Sequence, residues 1–136
     1  ALDPRIDAAL DRGVSYLLRS QQPDGSWIPL WFGNPWTEDQ TNPVYGTTQV
    51  LRCDDLLPKD ARQRAKQFLY SIQKPDGSFG TIEDTALAVA ALNDERGRRW
   101  IKEHSEFKPS PIGLYFAKLW YSEKLYPLIF TASALK

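Results

Sequence analysis

The chain has 136 residues, the length of one domain, and folding at that size buries roughly two-thirds of the surface exposed by the unfolded chain. Its 17 Lys and Arg balance 17 Asp and Glu, so net charge gives no reason to expect nucleic acid or an acidic membrane patch as partner. Cys53 is the single cysteine, which excludes an internal disulfide and suits a cytosolic setting, and no stretch reaches the roughly 20 apolar residues of a membrane span.

The sequence holds no Met, so the chain reads as processed, trimmed or partial, and its first residues lack the basic start and apolar run of a signal peptide. Residues 4–20 place Ile6, Leu10, Val14, Leu17 and Leu18 at helical spacing, with Asp3 as N-cap. A short helix rich in small residues is expected over 44–54. Residues 59–73 repeat the first amphipathic pattern just after Pro58. Residues 83–92 are Ala-rich and mostly apolar, as an inner, buried helix should be. A basic, exposed helix is expected over 97–105. Helices over 111–121 and 123–136 close the chain, and Pro127 restricts the last one to a first turn or a kink there. No sustained alternation argues for strands.

The chain also repeats itself. Arg12-Gly13-Val14-Ser15-Tyr16-Leu17-Leu18 runs into Gln21-Gln22-Pro23-Asp24-Gly25-Ser26-Trp27. Arg64-Ala65-Lys66-Gln67-Phe68-Leu69-Tyr70 runs likewise into Gln73-Lys74-Pro75-Asp76-Gly77-Ser78-Phe79, in register and without a gap. Each copy is an amphipathic helix stopped by Pro, then turned by Asp-Gly, where Gly accepts positive φ. Outer amphipathic helices thus alternate with apolar inner ones, as stacked helical hairpins do.

These residues resemble the QW repeat of the squalene/hopene and oxidosqualene cyclases, with Phe79 where the second copy would carry Trp. The run Trp27-Ile28-Pro29-Leu30-Trp31, followed by Tyr45-Gly46-Thr47, is similar to that family. So is Ile82-Glu83-Asp84-Thr85-Ala86. Leu114-Tyr115-Phe116-Ala117-Lys118-Leu119-Trp120-Tyr121 with Tyr126-Pro127 resembles the family's aromatic C-terminus. The resemblance implies an all-α chain, a partial α/α toroid, with residues 1–136 as one domain from the C-terminal part of a longer parent. It implies that Gln21, Gly25, Trp27, Gln73, Gly77 and Phe79 are structural, the Gln bonding helix ends and the ring stacking on it. It implies that Trp31, Tyr45, Tyr115, Phe116, Trp120 and Tyr121 line a substrate cavity. The parent's substrate would be squalene or another linear isoprenoid, folded, protonated and quenched as a cation. Its partners would be the missing N-terminal helices, and an open arc could form a homodimer across its apolar face. The parent would be cytoplasmic, with peripheral contact to the inner membrane at most.

The family's acid is the middle Asp of Asp-x-Asp-Asp, and that motif is absent from the sequence. No catalytic residue is therefore expected in this chain. Asp54-Asp55 reads as the end of a short helix. Glu83-Asp84 reads first as acidic residues at a helix N-terminus, and second as hydrogen-bonding groups near the cavity. Cys53 and His104 are the soft ligands available, too few for zinc, which takes three or four protein ligands. No metal and no cofactor are expected. Aromatic faces stabilise desolvated cations by about 0.5–2 kcal/mol each, so the aromatic residues would steer the cation. Two alternatives stay open: a non-catalytic helical-repeat binding or scaffold domain, and a protein prenyltransferase-like subunit.

Overall fold

The computed structural model describes residues 3–104 and 106–136. Its helices are α1 (Pro4–Ser20), α2 (Pro43–Leu51), α3 (Lys59–Ile72), α4 (Ile82–Leu92), α5 (Glu95–Glu103) and α6 (Tyr126–Ala134). A two-stranded antiparallel sheet, β1 (Pro111–Leu114) with β2 (Leu119–Ser122), lies between α5 and α6.

Each boundary has a local cause. Asp3 accepts the Arg5 N–H at 2.9 Å and Pro4 opens α1, where a missing N–H costs nothing. Asn42 caps α2 by accepting the Tyr45 N–H. Thr81 and Asp84 form a reciprocal capping box on α4. Asn93 ends α4 in the left-handed conformation, and Asp94 at once caps α5 through the Gly97 N–H at 2.7 Å. This cap moves the start of the basic helix forward from the expected residue 97 to Glu95. Pro127 sits in the first turn of α6.

The helix expected over 111–121 does not form. Pro111 and Gly113 are poor helix residues, and the Gly113 carbonyl accepts the Gly33 N–H at 2.8 Å, tying this segment to the loop before α2. A Cβ at Gly113 would strike the Leu119 carbonyl, so the two strands meet in a way only Gly allows. Lys118 turns the chain with φ 51°. The expected helix over 44–54 stops at Leu51, and a single 3-10 turn, Asp54–Leu56, follows it.

α4 is the central element, packed against α2, α5 and α6. Its Ala86, Ala88 and Val89 are fully buried, as its composition requires. One core joins Trp27, Leu51, Leu57, Phe68, Leu69 and Phe79; a second joins Ala86, Val89, Ile101 and Ala134. α1 is different. None of its side chains is buried, and Ile6 and Leu10 are exposed on an apolar face. No helix among the described residues is long and apolar enough to cross a membrane.

Candidate functional site

The two sequence repeats build two copies of one turn. In the first, the Gln22 N–H donates to Ser26 O at 2.8 Å and the Gly25 N–H to Gln22 O at 2.9 Å. In the second, Lys74 bonds Ser78 at 2.8 Å and Gly77 bonds Lys74 at 2.9 Å. Asp24 and Asp76 each accept the backbone N–H and the hydroxyl of the following Ser. These short bonds hold the Asp76 carboxyl below its ordinary pKa.

The glutamines tie each turn to the next helix. Gln21 Nε2 donates to Gly25 O at 3.0 Å and to Ala61 O in the first turn of α3 at 2.9 Å, while its Oε1 accepts from Arg64. Gln73 Nε2 donates to Gly77 O at 3.1 Å and to the Asp94 carboxylate at 2.7 Å, and Arg96 reaches its Oε1. The Trp27 indole N–H donates to Leu17 O at 2.8 Å, a carbonyl in the last turn of α1 that also accepts the Gln21 N–H. Phe79 has no such N–H and contributes its ring to the core alone.

The turns deliver Trp27 to α2 and Phe79 to α4, where their N–H groups bond Thr47 and Thr85. Phe32 packs on Tyr45 with ring centroids 5.2 Å apart, and Trp31 meets Phe116 edge-on at 5.9 Å. Tyr126 stacks on Phe130 at 5.3 Å. The Tyr121 hydroxyl lies near Tyr126, and both Tyr121 and Tyr126 interact electrostatically with Tyr45. Burial, then the neighbouring Tyr126, raises the Tyr45 hydroxyl above its ordinary pKa. Burial also raises Tyr121.

Of the aromatic residues singled out in the sequence, Trp31 and Phe116 are therefore brought together, and so are Tyr45 and Tyr121. Trp120 is not placed with Tyr121. It pairs with Gly113 while Tyr121 pairs with Ile112, and successive strand residues point to opposite faces. Tyr115 lies in the 3-10 turn Tyr115–Ala117, and its side chain falls outside the described residues. Phe32, Tyr126 and Phe130 complete the cluster but were not singled out. Phe32 follows Trp31 directly and Tyr126 precedes Pro127, so the signal was adjacency to residues already chosen.

The acidic pair divides. Asp84 is the capping-box residue, its Oδ2 accepting the Thr81 hydroxyl at 2.9 Å, while burial raises its pKa. Glu83 is buried at 6 % exposure and its Oε1 accepts the Ser110 N–H at 2.9 Å. Burial pushes its carboxyl up to about 7, partly opposed by that hydrogen bond. The sequence reading of the pair as helix-end charges thus holds for Asp84. Glu83 instead bonds the loop before β1 through the Ser110 N–H. Among the described residues no three His, Cys, Asp or Glu side chains gather as a metal-binding group. His104 is exposed and stacks on Trp100 at 4.1 Å. Cys53 is exposed.

Comparison with known proteins adds four findings. Residues 3–96 match the family described as the squalene-hopene cyclase C-terminal domain. The chain is 33% identical over 95 residues to an ent-copalyl diphosphate synthase of Streptomyces sp. (strain KO-3988), covering 67% of this chain and 18% of that protein. It is 38% identical over 82 residues to a squalene–hopene cyclase of Zymomonas mobilis, covering 57% of this chain and 11% of that protein. The chain thus spans a small part of these relatives. The solved ent-copalyl diphosphate synthase from Streptomyces platensis superposes with a TM-score of 0.64 at 22% identity, over 96% of this chain and 28% of that one. The fold is accordingly all-α with one small hairpin, part of an α/α toroid.

Proposed function

This chain belongs to the squalene-hopene cyclase C-terminal domain family, and from that premise we propose that the protein carrying it cyclises a linear isoprenoid by protonation. In this reading the segment supplies cavity wall and fastening, and the proton donor lies elsewhere in the parent. The observation that carries it is the packing of Phe32 on Tyr45, with Tyr121 and Tyr126 acting on the Tyr45 hydroxyl, and of Trp31 on Phe116. Exposed π faces suit a cation that water would otherwise capture. Gln21, Gly25 and Trp27, with Gln73, Gly77 and Phe79, are the QW fastening that sets those faces.

The substrate is squalene or a shorter linear prenyl chain. The two named relatives, one a squalene–hopene cyclase and one an ent-copalyl diphosphate synthase, support both choices. Upstream helices of the parent would be the partners of the α1 apolar face, or a second copy would be. Membrane contact would be peripheral. The test is to incubate the full-length protein with squalene and, separately, with linear prenyl diphosphates, and to seek cyclised products by mass spectrometry. Cyclised product from either supports the reading; none from any removes it.

A second reading, a non-catalytic helical-repeat scaffold, draws on α1. Its Ile6, Leu10, Val14 and Leu17 border an open apolar groove of about 710 Å³ with Leu56 and Leu57. Full-length protein inactive on all those substrates, yet folded, would favour it.

A further inference from the structure

Both turns of the repeat dock on the start of the next outer helix, and they do so with the same groups. A Cβ at Gly25 would strike the Arg64 carbonyl of α3, and one at Gly77 would meet the Arg96 carbonyl of α5 at 2.9 Å. Arg64 donates to Gln21 Oε1, and Arg96 reaches Gln73 Oε1 and the Pro75 carbonyl. Gln21 Nε2 donates to the Ala61 carbonyl, one turn before Arg64, and Gln73 Nε2 to the Asp94 carboxylate, just before Arg96. The receiving helices are covered there. Ala61 and Ala65 are fully buried, and a Cβ at Gly97 would come within 3.3 Å of Gly77 O.

α1 carries the same receiving residues with no turn upon them. Ala9, Arg12 and Gly13 stand in the repeat register where Ala61, Arg64 and Ala65 stand on α3. All three are exposed, and a Cβ at Gly13 would meet nothing within 4 Å. Arg12 makes no hydrogen bond or ion pair among the described residues. Ala9 and Gly13 border the open apolar groove of about 710 Å³. We propose that Ala9, Arg12 and Gly13 form a docking site for a third turn of the same chemistry, supplied by a part of the protein outside these 136 residues. Its Gln would bond the Ala9 carbonyl and the Arg12 guanidinium, and its Gly would lie on the Arg12 carbonyl.

A second copy of these residues has no turn to offer. The first turn is held by α3 and the second by α5. A third copy of the repeat begins on α5, where Arg96-Gly97, Trp100 and Ile101 stand in register with Arg12-Gly13, Tyr16 and Leu17. Ser105, Lys108, Pro109 and Pro111 then replace Gln21, Asp24, Gly25 and Trp27. Proline at 109 cannot take the positive φ that Gly25 has, and the Ser110 N–H bonds Glu83 instead. The arc therefore receives a turn at α1 and presents none beyond α5. The source that remains is the longer protein, for the chain spans 18% and 11% of the two relatives named above.

The site rests on the reading of this chain as part of a longer protein and not on cyclisation, so its test reads stability and leaves product formation aside. Leu is a better helix residue than Gly, so on a bare face Gly13→Leu in the full-length protein raises the melting temperature. Under a docked turn the added side chain has no room, and the melting temperature should fall by several degrees. Arg12→Ala should lower it as Arg64→Ala does, and both losses should be independent of protein concentration. A Gly13→Leu variant that melts at or above wild type overturns the proposal, as does an Arg12→Ala variant that melts like wild type. Losses that vanish on dilution overturn it too, because a second copy would then supply the turn. If Gly13→Leu fails to fold, Arg12→Ala decides.

Discussion

The backbone N–H of Trp27 donates to the Thr47 hydroxyl at 3.0 Å, and Phe79 makes the same bond to Thr85 at the same length. The partners stand 20 residues apart in the first copy and 6 in the second. Each Thr is fully buried or nearly so on an inner helix, and each bond fixes where an aromatic residue meets that helix. The repeat is therefore one of contacts as well as of letters.

Thr47→Val keeps the shape of the side chain and removes the acceptor, leaving the buried Trp27 N–H unpaired. An unsatisfied buried donor costs about 1–3 kcal/mol, so chemical denaturation should report a loss in that range. Thr85→Val should cost at least as much, because the Thr85 hydroxyl also donates to Thr81 O at 2.8 Å. A neutral result at both positions would mean these bonds do not hold the turns.

Gly25 and Gly77 have φ of 93° and 95°, a region closed to most side chains. A Cβ at Gly25 would strike the Arg64 carbonyl, and one at Gly77 would come within 2.9 Å of the Arg96 carbonyl. Strain at such φ costs about 1–3 kcal/mol before any clash. Both Gly→Ala substitutions should destabilise, and Gly25→Ala more than Gly77→Ala. Thermal melts of the two variants side by side check the order.

How far the sequence alone could go follows from what each element depends on. α1, α3 and α4 depend on local periodicity and caps, and Ile6 through Leu17, Ala61 through Leu69 and the Thr81–Asp84 box are all local. The hairpin depends on a distant partner. Residues 111–121 carry apolar residues dense enough for a helix, and the deciding contact is with Gly33, far away in sequence. The same holds for the site. Trp31, Tyr45, Phe116 and Tyr121 were singled out by their resemblance to the cyclase family's aromatic positions. That Glu83 would be buried against Ser110, rather than lie at an exposed helix end, depends on a loop whose path no spacing rule gives.

The aromatic wall makes a prediction tied to the proposed cyclisation. Trp31 and Phe116 are both more than half exposed yet packed on each other, so removing either ring should disturb the core little. If they face a developing cation, each π face contributes about 0.5–2 kcal/mol, or roughly 2- to 30-fold in rate. Trp31→Leu and Phe116→Leu in the full-length protein should lower product formation by such factors at nearly unchanged melting temperature. Equal activity in both variants would remove these two residues from the wall.

Glu83 makes stability depend on pH, and the sign is fixed by the direction of its shift. Its carboxyl has an ordinary value of 4.5 and is raised to about 7 in the folded protein. Between those values the native state holds a proton that the unfolded chain has released. Stability therefore falls as pH rises. The contribution of this group is fully present below about 4.5, declines across the interval, and is lost above about 7. A pKa unit corresponds to about 1.4 kcal/mol, so the whole loss is at most about 3 kcal/mol. Glu83→Gln cannot titrate and keeps an oxygen for the Ser110 N–H. The difference in unfolding free energy between the variant and the wild type, measured from pH 4.5 to 8, should therefore drift in favour of the variant by up to that amount. A flat difference would show that Glu83 is ionised in the native state. A drift the opposite way would show a carboxylate stabilised by a partner outside the described residues.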